Sequence, residues 1–147
     1  MDRIPSAVAL ARRGINVGNN SYALCNSGIE EADHLLINCP FTAVSRDWIL
    51  NWCGVHAQPF STVSDFINST ANWGNCPKKR KIFIAICYGL LWYTWKARND
   101  VVFNKVCISP LKMADSVVTM VFSFVAHRGN FGKVKWANRL CCPFNVL

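Results

Sequence analysis

Apolar side chains recur at steps of three and four along most of the chain, the interval of amphipathic helices rather than of strands. Between positions 41 and 53, Phe41, Val44, Trp48 and Trp52 keep this interval, which predicts a helix buried along that stripe and stopped at Gly54. Further on, the uncharged run IFIAICYGLLWYTW at 82–95 predicts a buried helix that continues to about Asn104. A bilayer span takes about 20 residues, so this shorter run reads as core and membrane association is not expected. Pro110 suits the first turn of a last helix reaching about His127, with Val117, Val118, Val121, Phe122 and Val125 as its apolar stripe. Two long helices across a short loop predict an antiparallel hairpin.

The shorter elements are set by local signals. Ser6 is placed to cap a helix through Arg13, and Gly14 to end it in the left-handed conformation. Gly18 to Ser21 reads as a turn. Ser27 and Glu30 have capping-box spacing, predicting a helix over 29–38 that Pro40 ends. A short helix is expected around Val63–Ile67, and NSTANWGNCP at 68–77 reads as the main linker. The chain thus divides into 1–75 and a helical 76–147, expected to pack as one domain. The tail from Gly129 reads as irregular.

Composition permits a real core: the chain has 147 residues, of which 52% are apolar. The net charge of +8 favours anionic partners. Its distribution is uneven, with four basic and six acidic residues in 1–77 and twelve basic against two acidic in 78–147. Eight cysteines would suit a disulfide framework only in an oxidising compartment. The opening MDRIPSAVALARRG has too short an apolar run for a secretory signal, so an intracellular setting, nucleus or cytoplasm and not secreted, is expected. Cys53 and Cys87, inside apolar stretches, read as buried filler.

The stretch 22–40, YALCNSGIEEADHLLINCP, holds Cys25, His34 and Cys39 as C-x8-H-x4-C. Structural zinc takes four ligands, and Tyr22 stands where C-x2-C spacing would put the fourth. On spacing alone, the three residues read equally well as metal ligands or as two buried cysteines and a helix histidine. Glu30, four residues before His34, is placed to orient its imidazole. Lys78, Lys79, Arg80 and Lys81 form a candidate phosphate-contacting patch, or else a solvated helix start. Trp92 and Trp95 read as core in preference to a base-stacking platform, and Arg98-Asn99 as a tie from the helix end to a neighbouring loop. The only acidic residues of the second half, Asp100 and Asp115, are isolated, so a polymerase or nuclease carboxylate pair is not expected. Neither is a phosphate loop, a nucleophile elbow or a small-molecule substrate.

Three passages in order carry a resemblance: Arg3-Ile4-Pro5 with Arg13-Gly14-Ile15; Leu24-Cys25, Glu30, His34-Leu35 and Cys39-Pro40; and Trp92, Trp95, Arg98, Asn99 and Phe103. Together they resemble the zinc-binding domain that follows the reverse transcriptase in plant non-LTR retrotransposons of the long interspersed type. The elements read from the pattern give a mainly α fold with a long C-terminal helix hairpin, to which the resemblance adds a small zinc-knuckle-like loop. It implies a non-enzymatic accessory fragment that binds zinc and, nonspecifically, RNA or DNA, alongside a reverse transcriptase polypeptide. It also makes Tyr22 a departure from the family's first cysteine. A phenol is a poor replacement for a thiolate, so weakly held zinc is expected, with water, Cys53 or His56 as stand-ins for the fourth ligand. The alternative is a degenerate structural or protein-interaction remnant that no longer binds metal.

Overall fold

The computed structural model describes residues 4–16, 18, 22–56, 58–128 and 144. It is mainly helical, with no strand among those residues: α1 Ala7–Arg12, a π-helical turn His34–Asn38, α2 Pro40–Trp52, α3 Val63–Ala71, α4 Pro77–Asn104 and α5 Pro110–Arg128. Ser6 caps α1 by accepting from the Ala9 amide, and Gly14 follows it at φ 79°, as expected. The tail from Gly129 and most of the expected turn at Gly18–Ser21 lie outside the described residues.

α4 is the central element. Ile82, Phe83, Ile86, Cys87, Leu90, Thr94, Ala97 and Arg98 are buried over half its circumference, because α5 packs on one side while α3 and the π-turn pack on the other. α5 runs back antiparallel to α4 and buries Met113, Ala114, Val117, Val118 and Val121. At Gly89 the two helices are in contact: a Cβ there would meet the flexible end of Met120 and lie 3.4 Å from Val117 Cγ1. A single core joins Tyr22, Leu35, Ile37, Ile49 and Phe66 to Ile86, Leu90 and Val117, so it runs through both sides of the boundary expected near 75. Among the described residues, no helix is long and apolar enough to cross a membrane.

Three expectations about faces need correction. α2 forms where expected, but it turns Thr42, Ser45, Ile49 and Leu50 inward and leaves Val44 and Trp48 exposed. Its buried hydroxyls have partners: Thr42 donates to the Leu35 carbonyl at 3.0 Å, and Ser45 to the Pro110 carbonyl at 2.8 Å. Small satisfied side chains let the π-turn and the start of α5 come close, which a Val–Trp stripe would prevent. Trp92 is 63% exposed, not core, while Trp95 is half-buried. Finally, Ser27 and Glu30 do not open a helix over 29–38. Helical conformation begins at residue 32, and Pro40 starts α2 instead of ending a helix.

α3 is longer than expected. Thr62 accepts from the Asp65 amide and Asp65 from the Thr62 amide, a capping box visible in the sequence as T-x-x-D. The helix absorbs the first part of the expected linker, leaving 72–76 to lead into α4.

Candidate metal centre

Cys25 belongs to a loop closed by its own backbone. The Asn26 amide donates to the Tyr22 carbonyl at 2.8 Å and the Tyr22 amide to the Gly28 carbonyl at 3.3 Å. Asn26 and Gly28 take positive φ, which aims the loop back toward the π-turn. Gly28 lies directly against the imidazole of His34, where a Cβ would stand 2.9 Å from Cε1. Only a residue without a side chain fits both the φ of 77° and this contact.

His34 and Cys39 come together because the turn between them is wide. The Cys39 amide donates to the His34 carbonyl, an i to i+5 bond of 2.8 Å. In an ordinary α-helix, residues five apart point to different sides; the π-turn brings H-x4-C toward one side. It also frees the Leu35 carbonyl, which accepts from the Tyr22 phenol at 3.4 Å and from Thr42. Arg46 fastens the far end by donating to the Ile37 carbonyl at 2.8 Å, and Asp33 accepts from the Val63 amide at 2.8 Å.

The result is a cluster in which the ligand atoms of Cys25, His34 and Cys39 all lie within 4.8 Å of one another. Cys25 Sγ is 3.4 Å from His34 Nε2 and donates to the Ser27 carbonyl at 2.8 Å. Cys39 is buried, while Cys25 and His34 are half-exposed. Burial pushes the Cys39 thiol up to about 11; the first-turn amides of Phe41 and Thr42 work against that rise, and Cys25 adds to it. A divalent cation would relieve this cost by favouring both thiolates. Two thiols and an imidazole at this separation are a soft, zinc-compatible donor set.

Tyr22 is adjacent but otherwise committed. It is fully buried, and its ring meets the His34 ring edge-on at 5.5 Å between centroids. Burial, reinforced by Cys39, Glu30 and Cys25, holds its phenol well above the ordinary range, so it stays neutral and donates to Leu35. The proposed stand-ins do not join the cluster: Cys53 is buried elsewhere in the core, and His56 lines a small cavity with Leu50, Phe60 and Trp73.

Glu30 does not orient His34, because a stronger partner takes it. Arg98 binds it through both donors, Nη2 to Oε1 at 2.6 Å and Nε to Oε2 at 3.2 Å. The Ala7 amide also donates to Oε1 at 2.8 Å, so one buried carboxylate joins the end of α4 and the start of α1 to the cluster loop. Arg98 thus ties the helix end to a neighbouring loop, as expected. In the basic patch, Lys78, Lys79 and Lys81 are exposed. Arg80 is half-buried and occupied, its Nε donating to the Trp73 carbonyl at 2.8 Å and its Nη2 to that of Gly74. No family model, curated protein or solved structure matches the chain.

Proposed function

We propose that the chain is a non-catalytic accessory domain organised by a zinc ion and binding nucleic acid, in line with its resemblance to the zinc-binding domain of retrotransposon reverse transcriptases. The observation that carries this reading is the convergence of Cys25, His34 and Cys39 within 4.8 Å, from a loop, a π-turn and the start of a helix. These three residues would hold zinc, which would supply a structural crosslink between the loop, the π-turn and the start of α2. Two of the nearby carboxylates have structural partners: Glu30 pairs with Arg98, and Asp33 accepts from the Val63 amide. The excess of twelve basic over two acidic residues in 78–147 supports a polyanionic partner. A rival reading, a remnant that has lost its metal, draws support from the buried, neutral Tyr22.

Elemental analysis of the purified chain, with Tyr22→Cys and Cys39→Ser beside it, separates the two. The native chain is expected to hold chelator-labile zinc below stoichiometry, Tyr22→Cys about one equivalent, and Cys39→Ser none. Zinc missing from both the native chain and Tyr22→Cys would establish the remnant. Salt-dependent affinity for single-stranded RNA or DNA tests the partner, and its absence would remove that half of the proposal.

A further inference from the structure

The metal centre leaves the outer face of α4 without a role. Lys78, Lys81, Ala85, Tyr88 and Trp92 follow one another at steps of three and four, so they form one ridge along the helix. Both lysines are exposed, Tyr88 is 52% exposed and Trp92 63%. The rings stand one helical turn apart with an apolar groove on either side. One groove, of about 630 Å³, is floored by Ile4, Leu36, Val63 and Ile67; the other, of about 400 Å³, by Gly89, Met120 and Val121.

Four properties of this ridge narrow its partner. First, it carries only positive charge, since the first acidic residue after Lys78 is Asp100. Second, Arg80 is occupied by the Trp73 and Gly74 carbonyls, which leaves the lysines to face an anion. Third, both aromatic side chains are more than half exposed and line the two grooves, where unpaired bases can reach them while the stacked faces of paired bases in a duplex cannot. Fourth, from Lys78 to Trp92 the helix rises about 20 Å, a length suited to the short end of single-strand site sizes, about 4 nucleotides.

We infer that the α4 ridge from Lys78 to Trp92 is a track for single-stranded nucleic acid, with phosphates at the lysine end and unpaired bases against Tyr88, Trp92 and the grooves beside them. The inference rests on the nucleic-acid half of the proposed function and adds the surface and the strandedness. It does not depend on zinc.

Fluorescence anisotropy of a labelled oligouridylate and a duplex of equal length, titrated with the full chain at several salt concentrations, tests it. The single strand is expected to bind more tightly than the duplex. Trp92→Ala should weaken single-strand binding about tenfold, and Trp92→Phe should restore most of it. Lys81→Gln should instead make the salt dependence shallower. Trp92 is largely exposed, so an unchanged thermal melt would show that the variant folds. Native-like affinity in Trp92→Ala would overturn the track while leaving nucleic-acid binding in place. Equal affinity for the duplex would overturn the strandedness. No binding by the native chain would remove both. Loss of self-association or of binding to an acidic amphipathic peptide in Trp92→Ala, with oligouridylate affinity intact, would reassign the ridge to a protein partner.

Discussion

The α4–α5 hairpin meets through many apolar side chains, whereas in the 22–40 segment, whose Leu35 and Ile37 share the same core, the ligand atoms are aimed by a handful of specific contacts. In the hairpin, Ile86, Leu90, Met113, Val117 and Val121 share one core, and losing one leaves the others in place. In the 22–40 segment, that aim depends on Glu30 with Arg98, on the close fit of Gly28 against His34, and on the Tyr22 and Thr42 hydroxyls at the Leu35 carbonyl. Apolar packing is tolerant and dictates where helices lie; the polar links are intolerant and dictate where ligand atoms point. The two regions should therefore fail differently when altered.

The largest effect is expected at Arg98, where the regions are joined. Arg98→Ala leaves the Glu30 carboxylate buried with only the Ala7 amide for company, a loss of about 3–5 kcal/mol in urea unfolding. Replacing both partners by methionine should recover much of that, because the cost lies in the stranded charge. A single-variant loss below about 1 kcal/mol would mean that the pair is not desolvated as its geometry indicates. Leu90→Ala, deep in the hairpin, is expected to cost about 2–5 kcal/mol through the cavity it leaves. Unlike Arg98→Ala, it should leave zinc affinity unchanged once the protein is folded, since the core around it does not aim the cluster.

Gly28→Ala reverses that pattern. A side chain at φ 77° costs about 1–2 kcal/mol, and its Cβ would displace the His34 ring. Zinc affinity, read by competition with a chromogenic chelator, should fall about tenfold or more, while the melt falls by only several degrees. Unchanged affinity would show that His34 does not ligate.

This division also explains which features could be read from sequence. Helix periodicity reports burial, so α4, α5 and the cap of α1 were visible in the spacing of Ile, Leu and Val and in Ser6. The α2 stripe misled because periodicity weighs size and apolarity, while the buried face there is chosen by two hydroxyls with distant carbonyl partners. Glu30 shows the same limit. Its spacing from Ser27 and His34 suggested local roles, but a guanidinium 68 positions later outcompetes both. The trio Cys25, His34 and Cys39 stood out as a group; that they converge depends on a π-turn no residue pattern announced.

The smallest expected effect lies on the hairpin's surface and tests whether polarity alone confers intolerance. Asp100 accepts from Lys96 at 2.6 Å and Asn104 at 3.1 Å, and the Lys96 bond holds its carboxyl below the usual carboxylate range. A folded-state value below the unfolded one means that the contribution is present above about pH 4 and is lost as pH falls through the folded value. Asp100→Asn should therefore lower the melting temperature slightly at neutral pH, with the gap to the native chain closing in acid and shrinking in high salt. The Arg98→Ala deficit, arising from a buried pair, should be far larger and nearly indifferent to salt. If the two variants lost comparable stability and responded alike to salt, burial would not be what separates the intolerant links of the 22–40 segment from the exposed ion pair of the hairpin.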